Sequence, residues 1–204
     1  EVIHKGSKIV RYFNHSNVAT IAFIEKQKQL YLNRQKLIQS CPTRWGSYYY
    51  MCERLIYNRT PIMSVSIDRT ITKLNIALKL DMSEHHWAIM NDIITVLKSL
   101  DVATTTLCSE NEVTISLVLP SIINNYLKTN YVGRSETEQF KNVLVTSLTN
   151  KFKLNSNIET VHGLASFLDP RSKQLSFENN EKKKLITAAI SNIIENCNIT
   201  VFFY

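Results

Sequence analysis

Between Ser83 and Leu107 the apolar residues Met90, Ile93, Ile94, Leu97 and Leu100 recur at helical spacing, with Trp87 at the entrance. Such a stripe lies on one face of a helix, and that face must be covered by other elements. The rest of the chain repeats the pattern. Ile9, Val10, Phe13, Ile21 and Ile24 predict a helix beginning near Ser7, and Tyr48, Met51, Cys52 and Leu55 predict a second, with Glu53 and Arg54 on its other sides. Thr60 before Pro61 reads as an N-cap with proline at the first helical position, and Ile71, Leu74 and Leu78 continue an apolar stripe. Ser109 with Glu112 and Ser135 with Glu138 have capping-box spacing, Thr114 being a rival cap for the first. Pro120 either kinks its helix or marks the true start. Phe140, Val143, Leu144 and Leu148 carry the next helix, and Ile186, Ile190, Ile193 and Cys197 define one over 181–196.

Four glycines in 204 residues, with few runs of period two, leave too little turn chemistry for a sheet-rich domain. The expected fold is mainly α: seven to nine helices, with loops near 31–43, 129–135 and 153–161. An apolar content of 44% supports a core, expected on Trp87, Met90, Ile94, Leu97 and Leu144. No stretch approaches the ~18 apolar residues of a membrane helix, and the N-terminus has no apolar signal core. Cys41, Cys52, Cys108 and Cys197 form no C-x-x-C pair and have no histidine at zinc spacing. They read as buried small apolar residues in a reducing compartment.

Charge is distributed unevenly. Residues 1–59 hold ten lysines and arginines against Glu1, Glu25 and Glu53, whereas residues 60–204 balance fourteen basic with fourteen acidic groups, so the whole net charge of +7 lies in the first part. That asymmetry points to a polyanion, or else to a solvated basic face without a partner. Phosphate-binding glycine loops, the G-x-S-x-G nucleophile turn and H-E-x-x-H are all absent. His85 and His86 are adjacent, point about 100° apart on a helix and read as exposed helix-start residues. Asp169, before Pro170 and Arg171, reads as a helix stop or turn rather than a carboxylate site.

Within the basic part, "CPTRWGSYYYMCERL" sets Arg44 and Trp45 ahead of three tyrosines. An arginine is rarely buried without a pair. Arg44 can neutralise a phosphate, and Trp45 offers a face for stacking an unpaired base. The alternative is that Trp45 packs on Tyr48, Tyr49 or Met51 as a helix-entry anchor. Arg34 and Lys36, just upstream, join Arg44 and Trp45 as candidate DNA-binding residues.

Four blocks carry a resemblance. "PTRWGSYYYMCERL" resembles the T-R-W-N-S segment and following E-R-L helix of hAT-superfamily transposases and the related zinc-finger BED-domain-containing proteins. "IVRYFNHSNVATIAFIEKQ" is similar to the helix before that segment. "HWAIMNDIITVLKSLDVATTTLCSENEVTISLVLPSI" and "LASFLDPRSK" are similar to two later blocks, all in family order. Gly46 departs from the family's asparagine and loses a possible side-chain hydrogen bond.

The resemblance implies the helical insertion domain of an RNase H-like fold with the catalytic sheet largely absent. Residues 1–40 would be the end of the RNase H-like part with a basic helix, and 41–204 the insertion. It implies a DNA partner, a nuclear location, no membrane, and Trp45 holding a base flipped from the duplex. The family's acidic triad with its Mg²⁺ or Mn²⁺, its Zn²⁺-bearing BED finger and its dimerisation segment would all lie outside these residues. This chain is therefore expected to hold no catalytic residue, metal or cofactor, to be no enzyme by itself, and to form any homo-oligomer through other segments. The other readings are a transposase-derived interaction or transcription-regulatory module, and a truncated copy.

Overall fold

In the computed structural model residues 1–108, 114–122, 134–152 and 161–196 are described, apart from the side chains of Trp45, Ser121 and Ile122. They form ten α-helices and one 3₁₀ turn, with no strand among them. The expected mainly α fold is what is found. The chain divides, within its longest helix, into two compact units: Glu1–Asp101 with Gly133–Thr137, and Val102–Val132 with Glu138–Tyr204.

The first unit begins with α1 (Val2–His15) and α2 (Asn17–Gln29). One continuous helix from Ser7 is thus corrected to two. The break is at Ser16, whose backbone is extended and whose Oγ accepts from the Ala19 N–H, capping α2. Ile21, expected on the core face, is 63% exposed because α2 restarts in a new phase and buries Ala19 and Phe23 instead.

After an extended segment, α3 (Trp45–Tyr57) and α4 (Arg59–Ile67) follow. The second starts two residues before the expected proline position. Asn58 is its N-cap and Pro61 falls third, still within the first turn, where a missing N–H costs nothing. In α5 (Leu74–Leu80) the stripe expected through Leu74 and Leu78 is rotated: both are exposed, and Ala77 and Leu80 face inward. α6 (Glu84–Leu107) opens on a reciprocal cap between Ser83 and His86, the His86 N–H donating to Ser83 Oγ at 3.3 Å and the Ser83 N–H to His86 Nδ1 at 3.2 Å. His86 is thereby half-buried rather than exposed; His85 is exposed as expected.

Ile9, Val10, Phe13, Met51, Cys52, Leu55, Ile62, Trp87 and Met90 make the centre of this unit's core. Gly6 is the point of closest approach of α1 to its neighbours. A Cβ there would meet Leu55 Cδ1 at 3.0 Å and Met90 Cε at 3.2 Å. Residues on both sides of position 40, from Leu37 to Met51, belong to this one core.

The second unit contains a 3₁₀ turn (Ile115–Leu117), α7 (Val118–Ile122), most of α8 (Ser135–Lys151), α9 (Val161–Leu168) and α10 (Asn180–Asn196). Its own core is Leu119, Leu175, Phe177, Ile186 and Ile190. The expectation of one core is therefore corrected. Leu144 is only half-buried and belongs to neither cluster, and Val143 is 65% exposed. Pro120 stands in the first turn of α7, marking a start rather than a kink. Ser109 and Glu112 lie outside the described residues, as does Cys197. Of the other cysteines only Cys52 is buried; Cys41 is half-buried and Cys108 exposed, which corrects the uniform expectation.

Asp169 is a structural stop, as its place before proline implies. Its N–H donates to the Ala165 carbonyl at the end of α9. Its carboxylate accepts from Ser116 Oγ at 2.5 Å and from the Arg171 guanidinium at 2.9 Å. Ser166 Oγ donates to the Ser116 carbonyl at 2.7 Å, so these contacts tie the 3₁₀ turn to α9. Arg171 first, then Ser116, hold the Asp169 carboxyl well below the usual carboxylate range.

Candidate nucleic-acid interface

Residues 32–41 form neither helix nor strand, within the expected loop. Burial alternates along part of this stretch. Gln35 and Leu37 turn inward, Leu37 being 6% exposed, while Arg34 and Lys36 point out. The inward residues have specific anchors. Gln27 Nε2 donates to the Gln35 carbonyl at 3.0 Å and to Asn58 Oδ1 at 2.6 Å, and Ser7 and Ser40 hydroxyls meet at 3.0 Å. The segment therefore lies against α1, with Arg34 and Lys36 near Asn14 and Ser40 near Ser7. Arg34, Lys36, Asn14, Asn17 and Thr20 line a cleft of about 390 Å³.

The segment ends in a turn that presents Arg44. The Arg44 N–H donates to the Cys41 carbonyl at 3.0 Å, and Arg44 occupies the N-cap position of α3 in extended conformation without capping it. Ser47 holds the turn. Its Oγ accepts from the Cys41 N–H at 2.7 Å and donates to the Arg44 carbonyl at 2.6 Å. With the backbone fixed from inside, the Arg44 side chain is left exposed. Among the described residues, no hydrogen bond or ion pair engages the side chains of Arg34, Lys36 or Arg44. Beside them the Cys41 thiol is lowered from its ordinary value by the hydrogen bond from Thr43, with the Arg44 charge adding to it.

The tyrosines after Trp45 belong to the framework. Tyr49 is 6% exposed and donates to Glu53 at 3.0 Å, and burial followed by that carboxylate raises its pKa. Tyr50 donates to both Asp101 oxygens at 3.0 and 3.1 Å. Trp45 begins α3, but its side chain, and with it the choice between stacking and packing, lies outside the described residues. At Gly46 an added Cβ would meet Asp101 Oδ1 at 4.0 Å, an ordinary van der Waals contact.

The motif reading missed Ser47, whose spacing from Arg44 was available as an ST-type signal, and Gln27, which had no signal because its partners are 8 and 31 residues away. Among the described residues no three His, Cys, Asp or Glu side chains are grouped to hold a metal ion. No described helix is long and apolar enough to cross a membrane.

Among known proteins, residues 1–96 match the family model of the ZBED1 RNase-like helical domain. The chain is also 23% identical over 179 residues to the human zinc finger BED domain-containing protein 4, covering 87% of the chain and 14% of that protein's length. Together these support a hAT/BED-type fragment with the helical domain of an RNase H-like fold. No solved structure matches.

Proposed function

We propose that this chain is the DNA-contacting helical part of a transposase-derived, BED-type nuclear protein, and that it cleaves no strand by itself. The observation that carries the reading is the Arg34–Arg44 segment. Its backbone at Gln35 and its Leu37 side chain are anchored to the core, while its three cations are exposed and, among the described residues, unpaired. Fixed, solvent-facing cations without internal partners suit phosphate contacts, which supply most of the sequence-independent affinity for nucleic acid. Arg44 takes a phosphate, and Trp45, directly after it, stacks an unpaired base. The metals of strand cleavage and the zinc of a BED finger belong to other parts of such a protein, as does any dimer contact.

The test is a salt titration of DNA binding by wild type, Arg44→Ala and Trp45→Ala, on duplex and on DNA with one unpaired base. Arg44→Ala flattens the log–log salt slope by about 0.9 on duplex. Trp45→Ala weakens binding to the unpaired-base DNA by about 1–3 kcal/mol and leaves the duplex slope unchanged. Equal losses on both DNAs, or wild-type binding by a folded Trp45→Ala, make Trp45 a packing residue and favour an interaction module. Metal-dependent nicking by the purified chain overturns the non-catalytic part.

A further inference from the structure

We infer that α1 itself is a phosphate-tracking ridge, which extends the Arg34–Lys36 cleft into a continuous path for one strand of a DNA duplex. This inference rests on the DNA-contact reading above. His4, Lys8, Arg11 and His15 are spaced 4, 3 and 4 residues apart, which puts them in one stripe of the helix. All four are exposed, and none of their side chains has a hydrogen bond or ion pair among the described residues. Within Val2–His15 there is no acidic residue to neutralise them. The opposite face, with Ile9, Val10 and Phe13, is held in the core, so the stripe faces solvent in a fixed orientation.

Arg11 joins the stripe to the segment. It lies four residues after Ser7, which touches Ser40, and three before Asn14, which lines the cleft with Arg34 and Lys36. The three positions share a face of α1, so Arg11 stands alongside the segment between its two anchor points. At 1.5 Å per residue the stripe from His4 to His15 is about 16 Å long, enough to meet more than one phosphate of a strand whose phosphates rise about 3.4 Å each along the duplex axis. A rigid row of donors with no large exposed apolar side chain in it matches a regular polyanion. A membrane surface would call for apolar residues to insert beside the charges.

The experiment measures affinity of the whole chain for a labelled duplex at several salt concentrations. Lys8→Ala/Arg11→Ala is compared with Lys79→Ala/Lys98→Ala, which removes equal charge from exposed positions on α5 and α6. Circular dichroism and melting confirm the fold of each. The ridge predicts a slope flattened by about 1.8 and at least tenfold weaker binding at low salt for the first pair, with less than a twofold change for the second. Equal losses from both pairs reduce the effect to net charge and overturn the ridge. So does binding by Lys8→Ala/Arg11→Ala within twofold of wild type while Arg34→Ala/Lys36→Ala loses it, an outcome that spares the DNA-contact reading. Wild type binding no DNA overturns both. Anionic phospholipid vesicles displacing the duplex at equal phosphate concentration make the partner a membrane surface instead.

Discussion

Gln27 on α2 donates to Asn58, at the junction of α3 and α4, across a distance of 2.6 Å in the core, where they are 1% and 0% exposed. The same Gln27 amide donates to the Gln35 carbonyl, and Asn58 Nδ2 donates to the Arg54 carbonyl at 2.9 Å. Two buried amides thus connect the helical framework to the backbone of the segment that carries Arg34 and Lys36. A buried polar group left without its partner costs the full desolvation penalty, about 1–3 kcal/mol.

Gln27→Ala is therefore expected to lower unfolding stability by about 1–3 kcal/mol and to weaken DNA binding as well, because Arg34 and Lys36 lose their fixed backing. Gln27→Leu/Asn58→Leu, which removes both partners, is expected to recover part of the stability without recovering the binding. Urea melts and duplex affinities of the single and double variants check both halves.

The helix phases of α5 and α6 are tested by two leucines. Leu97 is 6% exposed, and Leu97→Ala is expected to cost about 2–5 kcal/mol. Leu78, of the same residue type, is 69% exposed, and Leu78→Ala should stay within about 0.5 kcal/mol of wild type. An unchanged melting midpoint for Leu97→Ala would place it on the surface.

Thiol chemistry reads the position of the basic turn. Burial pushes the Cys52 thiol up to about 12, so it should resist alkylation at neutral pH until the protein unfolds. Cys41, half-buried and with its pKa lowered, should react in the folded state. Bound DNA at Arg44 should slow that reaction, with Cys108 as the internal reference. Mass spectrometry after timed iodoacetamide treatment, with and without duplex, measures all three.

Asp169 gives an acid dependence of known sign. Its folded pKa lies below the unfolded value, so its contribution is complete above about pH 4 and is lost as pH falls toward the folded value. Asp169→Asn should be less stable than wild type at neutral pH, and the gap should begin to narrow below about pH 4 and close only as pH falls through the folded value. Parallel acid titrations by circular dichroism measure the gap; a constant difference would remove Asp169 from the linkage.

Local periodicity and caps were enough to read the mainly α fold, the long helix opened by Ser83, the last helix and the Asp169 stop, because a helix closes its hydrogen bonds within four residues. The four family-like blocks were legible for the same reason, being contiguous. Which face of a helix is buried depends on what packs against it. Leu78 and Ala77 are adjacent, and only the neighbours of α5 decided that alanine goes in and leucine out. The break at Ser16 and the separation of two cores were decided in the same way. At the candidate interface the basic excess was plain in the sequence, whereas the row of His4, Lys8, Arg11 and His15 needed α1 to start at Val2 rather than near Ser7. Their union with Arg34 and Lys36 was not plain either, because it depends on Ser7 meeting Ser40 and Gln27 meeting Gln35 and Asn58. Such contacts close loops of 33, 8 and 31 residues, and a pairing across that distance exists only once the hydrophobic core has brought the partners together.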